Sequence, residues 1–188
     1  MPGTYKPVRL SADHHTNWFD CGEPSMDDWL DKHALADQEA GISATHVWLD
    51  AGDMVIAYLT LTPTIIRETD EGGLWKALKP KSYWPNEAYG VLIGKIALER
   101  QLQGQGLGED LFADAFVLAI DATQLIGGVY LVIEPMENRP KLRSMYEGFG
   151  FRTIPGHNRM YMAIQDFKDG GVPLDDAAEP GAASSPFQ

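Results

Sequence analysis

Leu98-Glu-Arg-Gln-Leu-Gln-Gly-Gln-Gly-Leu-Gly108 places glycines at 104, 106 and 108 between an apolar run and an amphipathic stretch. The preceding run, Val91 to Leu98, is rich in Val, Ile and Leu and predicts a strand. The following Leu107, Leu111, Ala115, Leu118 and Ala122 recur at helical spacing. A strand therefore stops, the backbone turns tightly and a helix begins. Alternate glycines let the main chain adopt positive φ and come close to a ligand. The first helical N–H groups lack partners in the chain and sit at the positive end of the helix dipole. Such a turn suits a phosphate.

The familiar phosphate loops can be tested against these letters. A nucleoside-triphosphate loop needs Lys and then Ser or Thr after its last glycine, and neither follows here. A dinucleotide fingerprint needs a third glycine three places after the second, where Glu109 stands, and it opens a doubly wound domain for which too few residues remain. Gln103-x-x-Gly106-x-Gly108 instead resembles the pyrophosphate loop of the GNAT superfamily of acetyl-CoA-dependent N-acetyltransferases. The downstream order matches that family too. Gly127 and Gly128 stop the helix, Val129 to Ile133 predicts a buried strand, and Pro140 opens a short helix that closes on Tyr146-Glu-Gly-Phe-Gly-Phe151.

Upstream, Phe19-Asp-Cys-Gly22 followed by Trp29, Leu30 and Ala34 resembles one branch of the superfamily, the acetyltransferase toxins of bacterial toxin-antitoxin pairs. The resemblance spans roughly residues 8 to 164. It implies an α/β (α+β) fold, a mixed and mostly antiparallel sheet flanked by helices, with acetyl-CoA as cosubstrate. For this branch it also implies the amino group of an aminoacyl-tRNA as acceptor and a small DNA-binding antitoxin as partner. A homodimer is left open.

The 188 residues, 44% of them apolar, suffice for one domain, expected over 1–168. From Asp169 to Gln188 the composition turns to Gly, Pro, Ala, Ser and Asp, which predicts a disordered acidic tail. No apolar run is long enough to span a membrane and no leader pattern is present, so a cytoplasmic protein with no membrane partner is expected. The single cysteine, Cys21, has no disulfide or zinc companion and is read as a small buried side chain. The five histidines form no ligand pair, so no metal is expected.

A net charge of −12 argues against a generally nucleic-acid-binding surface. The charge is uneven, however. Residues 74–100 hold 5 basic against 2 acidic side chains and residues 134–164 hold 5 against 3, and these two segments flank the glycine loop. A local positive field there can attract coenzyme A or a tRNA end while the remainder repels polyanions.

Along the chain, Val8 to Leu10 begins a first strand. A helix is expected from about Met26 to Glu39, with Ser25 and Asp28 near its cap and Gly41 at its end. Ala44–Leu49 and Met54–Leu61 read as a hairpin around a polar turn. Arg67 to Gly90 reads as a long irregular connection, whose Trp75, Tyr83, Trp84 and Tyr89 either wall an acceptor pocket or pack the segment onto the core.

Acetyl transfer to an amine needs a held thioester, a neutral amine, a polarised carbonyl and a proton for the departing thiolate. The resemblance assigns cofactor binding to the main chain of Gly104, Gln105, Gly106, Leu107 and Gly108, with Gln103 as a further donor. It assigns the pantetheine arm and acetyl carbonyl to main-chain groups of Ile96, Ala97 and Leu98, exposed by a splay between this strand and Val129–Ile133. Tyr146, in Tyr-x-x-Phe-Gly-Phe, matches the family's general acid, and a phenol with pKa near ~10 is able to donate at neutral pH. Read without the motif, Leu142, Met145, Tyr146 and Phe149 form an apolar helical stripe. Asn138 either caps that helix or binds the coenzyme arm. Glu109 and Asp110 would repel a phosphate and are expected to point aside. Glu99, Glu134 and His157 are titratable but read as surface or structural groups, so water is the expected base.

Two other acceptors fit the same chemistry, a small amine or a protein amino group. A non-catalytic acyl-CoA-binding module and a nicotinamide- or flavin-dependent enzyme are the remaining alternatives.

Overall fold

The computed structural model describes residues 5–70, 73–136, 139–154 and 156–168; the expected acidic tail and Asn138 lie outside these. The elements follow in the order β1 (Val8–Arg9), α1 (Pro24–Lys32), α2 (Ala34–Glu39), β2 (Ala44–Leu49), β3 (Val55–Arg67), α3 (Leu74–Ala77), β4 (Glu87–Leu98), a 3-10 turn (Arg100–Leu102), α4 (Leu107–Ile126), β5 (Tyr130–Ile133), α5 (Pro140–Gly148), β6 (Arg152–Thr153), β7 (Met160–Ala163) and α6 (Ile164–Lys168). The strands form one sheet in the order β1-β2-β3-β4-β5-β7-β6. Every pairing is antiparallel except β4 with β5. A parallel neighbour needs a crossover, and α4 supplies it.

Alternation along the strands sorts side chains between the two faces. On one face Trp48, Leu59, Ile93, Leu131 and Ile133 meet Leu111, Phe112, Ala115, Phe116 and Ala119 of α4, a stripe at helical spacing. The indole N–H of Trp48 donates to Asp114 Oδ2 at 2.8 Å, tying β2 to the same helix. On the other face, Val47, Tyr58 and Ala97 lie under α1 and α2, while Ala88, Tyr130, Val132 and Tyr161 lie under α3.

The expected helix over 26–39 is two helices, broken at His33 (φ −128°). The break aims α2 at the sheet edge, where the Gln38 amide donates to Leu10 O and accepts from Thr45 N–H, and where Asp37 accepts from the Trp29 indole. Neither Ser25 nor Asp28 caps: α1 starts after Glu23 with no side-chain cap, and Asp28 pairs with Lys32. The long irregular connection is also corrected. Strands β3 and β4 stay paired out to Arg67 and Glu87, and α3 occupies part of the link. Trp75 is buried and Trp84 packs onto the same cluster, whereas Tyr83 and Tyr89 are exposed.

Candidate acyl-transfer site

The glycine turn folds as its spacing requires. Gly104 (φ +76°) and Gly106 (φ +87°) occupy the left-handed region, and α4 starts directly after Gly106. Among the described residues, the main-chain N–H groups of Gly104 to Gly108 have no partner within the chain; the next amide, Glu109 N–H, closes onto Gly106 O at 3.0 Å. At Gly108 the φ is ordinary and a Cβ would meet nothing within 4 Å. Nothing in the fold itself forbids a side chain there, so the bare position leaves room for something outside the chain. Glu109 and Asp110 are exposed and absent from the cavity lining.

That cavity, about 220 Å³, runs from the turn into the sheet. Its floor is Ile96, Ala97 and Leu98, and one wall is Leu111 and Phe112 with Gly104 and Gly108. The opposite wall is Leu142, Met145 and Tyr146 of α5, and Cys21, Glu23 and Met26 close the far end. The floor is open because β4 and β5 pair only over Gly90–Ile93 and Tyr130–Ile133. Beyond Ile93 the two strands part, as expected. Glu99 N–H donates to Ile56 O at 2.8 Å, so alternation turns the main chain of Ala97 toward β3 and that of Ile96 and Leu98 toward the opening.

Gln103 has a different task from the one expected. Its Nε2 donates to Cys21 O and to Leu98 O, both at 2.9 Å, which engages both amide hydrogens and ties the Phe19–Gly22 segment to the end of β4. The same segment is held by Arg100, whose main-chain N–H donates to Asp20 O at 2.8 Å and whose guanidinium reaches Asp20 Oδ1 at 2.9 Å. Glu99 accepts from Asp20 N–H at 2.9 Å. These residues tie the Phe19–Gly22 segment to the rim of the cavity, and the donors left unpaired among the described residues there are main-chain groups of the turn.

Tyr146 is 8% exposed, with its ring against Phe112. Its hydroxyl makes no hydrogen bond among the described residues, and burial raises its pKa above the ordinary phenol value, so it keeps its proton. It therefore stands in the cavity wall as a protonated phenol with no acceptor among the described residues. Cys21 is half-buried at the far end rather than fully enclosed. Burial first, then a hydrogen bond to Asp27, pushes its thiol up to about 11, so it remains a thiol and not a nucleophile. Glu134 pairs with Arg159 at 2.9 Å and His157 lines a separate hollow, so neither joins this cavity. The aromatics of the 67–90 segment do not line it either.

Sequence reading missed Glu23, Met26, Met136, Arg139, Leu142 and Met145 as cavity residues. The Phe19–Gly22 resemblance pointed near the first two, and the Tyr146 stripe pointed near Leu142 and Met145. Among the described residues no group of His, Cys, Asp or Glu could hold a metal, and no helix is long and apolar enough to cross a membrane.

An antiparallel sheet opened at one parallel pair, with a glycine turn and a helix N-terminus over the gap, is the fold of the GNAT acyltransferases, and this chain has it. No protein-family model matches the chain. It is 29% identical over 155 residues to the tRNA-acetylating toxin of Mycobacterium tuberculosis (strain ATCC 25618 / H37Rv), covering 82% of this chain and 89% of that one. Among solved structures it is similar to AtaT complexed with acetyl-methionyl-tRNAfMet, with a TM-score of 0.73, 23% identity and 87% and 97% of the two chains covered. It is also similar to a mutant AtaT toxin bound to the C-terminus of the antitoxin AtaR and acetyl-CoA, with a TM-score of 0.68, 21% identity and 88% and 97% covered.

Proposed function

We propose that residues 1–168 form an acetyl-CoA-dependent N-acetyltransferase that acetylates the amino group of an aminoacyl-tRNA. The observation that carries this reading is one cavity lined by Gly104 and Gly108 of the turn, by the open strand end at Ile96 and Leu98, and by Tyr146; the turn amides and the Tyr146 hydroxyl have no partner among the described residues. Similarity to a tRNA-acetylating toxin and to a toxin fold solved with acetyl-methionyl-tRNAfMet supports the choice of acceptor.

In this reading the turn binds the diphosphate of the coenzyme through main-chain N–H groups and the positive end of α4. The Ile96 main chain holds the pantetheine arm and the acetyl oxygen. The neutral amine attacks the thioester carbon, the C–N bond forms and the C–S bond breaks. Tyr146 gives its proton to the leaving sulfur, water takes the surplus proton of the amine, and solvent reprotonates the phenolate. The amino group of an aminoacyl ester is unusually acidic, so a neutral nucleophile is available without a strong protein base. An antitoxin partner, as for the AtaT–AtaR pair, and a cytoplasmic location, where acetyl-CoA and charged tRNA meet, follow from the same reading.

Thiol release from acetyl-CoA is to be measured against charged tRNAs, small amines and peptides. Release with charged tRNA alone is expected. Release only with small amines or peptides would replace the acceptor, and coenzyme binding with no release for any amine would leave a binding module.

A further inference from the structure

We propose that Thr60 is a positioning residue for acetyl transfer: its buried hydroxyl holds the bulge that turns the main chain of Ile96 into the open strand end. This rests on the acetyltransferase reading and adds a residue of β3 that belongs neither to the glycine turn nor to the cavity lining.

Leu61 faces Ile93 across the β3–β4 ladder, and the next aligned pair is Leu59 with Ile96, so Gly94 and Lys95 together oppose the single residue Thr60. That is a β-bulge, one extra residue on β4. Thr60 is 3% exposed, and its Oγ1 accepts the Lys95 main-chain N–H at 2.7 Å. The same oxygen lies 2.8 Å from where a Cβ on residue 94 would be, so the hydroxyl fits only against a glycine. Lys95 is held from its other end, with Nζ over the Trp29 ring at 5.2 Å. Thr60 thus fills the space that a side chain at 94 would take and satisfies the amide that the bulge removes from the regular ladder.

The bulge sets the phase of everything beyond it. With the extra residue, Ala97 faces Tyr58 and Ile96 turns its N–H and C=O toward the gap left by β5. Without it, Ile96 would slide opposite Tyr58 and spend those groups in the ladder, while Ala97 would turn outward. A slip of one residue would therefore exchange the main-chain groups presented to the thioester without disturbing the glycine turn.

The two halves of the coenzyme provide the test. Acetyl-CoA and adenosine 3′-phosphate 5′-diphosphate, the nucleotide half without the pantetheine arm, are titrated calorimetrically into wild type, Thr60→Val and Thr60→Ser. Thr60→Val is expected to weaken acetyl-CoA binding by about tenfold, the scale of one buried hydrogen bond. Its affinity for the nucleotide half should stay at the wild-type value, and Thr60→Ser should restore acetyl-CoA binding. If Thr60→Val does not fold, Thr60→Ala, which deletes the same hydroxyl, is held to the same expectation. Equal loss for both ligands, or no loss for either, would overturn the positioning role while leaving the enzyme reading intact. A wild-type protein that bound neither ligand would overturn that reading first, and this one with it.

Discussion

The Tyr146 and Phe112 rings lie 4.6 Å apart between centroids, tilted by 51°, locking the helix that bears the phenol against the helix that begins at the glycine turn. Phe112 is fully buried and also meets Phe149 and Phe151, so the Tyr146 phenol is referenced to the turn through one aromatic cluster.

Tyr146→Phe keeps every ring contact and removes only a hydroxyl that has no hydrogen-bond partner among the described residues. Acetyl transfer is expected to fall by about 10²- to 10⁴-fold, the range for loss of one general acid. Thermal stability and acetyl-CoA affinity should stay near wild type. Calorimetry beside a thiol-release assay separates these quantities.

Phe112→Ala should act in the opposite manner. It empties the centre of the cluster and is expected to cost about 3–5 kcal/mol of folding free energy, read from a denaturant melt. Transfer should fail because the scaffold loosens, even though no reacting group has been removed.

Gly108→Ala separates binding from stability. Position 108 lies in the first turn of α4 with ordinary φ and open space around its Cβ. Alanine there should leave the fold as stable as wild type or more so, by about 0.5 kcal/mol. The new methyl group stands where the coenzyme diphosphate is placed by our proposal, and affinity for acetyl-CoA should drop by about tenfold, or 1.4 kcal/mol.

Asp114 gives a pH dependence whose sign can be worked out. Burial first, and the nearby Asp110 charge, raise its pKa above the ordinary 3.8, against the opposing hydrogen bond from Trp48. A carboxyl with a raised folded pKa binds its proton more tightly when folded. Its ionisation therefore lowers stability as pH rises from 3.8 through the folded value. Asp114→Asn keeps an acceptor for the indole without the charge. It should melt higher than wild type at neutral pH, with the difference vanishing in acid.

Arg139 donates to Glu23 at 3.0 Å and joins the start of α5 to the start of α1 beside the cavity. Both side chains are well exposed, at 48% and 40%, so the pair contributes at most about 1 kcal/mol. Glu23→Gln should barely move the melting temperature. Removing an acid from the rim should instead lower the KM for a polyanionic acceptor, most clearly at low salt.

The elements that flank the turn were legible because their signals are local. Glycines at 104 and 106 are dictated by backbone φ at those positions, the α4 stripe by its 3.6-residue period, and Tyr146 by a motif six residues long. The break at His33 was not legible, because Gln38 finds its partners at Leu10 and Thr45, on strands that only the folded sheet brings near. The extent of β3 past Leu61 and of β4 before Val91 was likewise not legible, since a ladder is stabilised by its neighbour and not by its own letters.

Sequence alone determined where a strand must end, where the chain must turn on glycine and where a helix must start, since sterics and periodicity act over a few residues. Only the tertiary structure decided which groups face the gap. It spent the Gln103 amide on Cys21 and Leu98, set Cys21, Glu23 and Arg139 around the cavity, and paired two residues of β4 against Thr60. Those outcomes depend on register between strands and contacts across as many as 116 positions of chain, as between Glu23 and Arg139, and no local pattern encodes them.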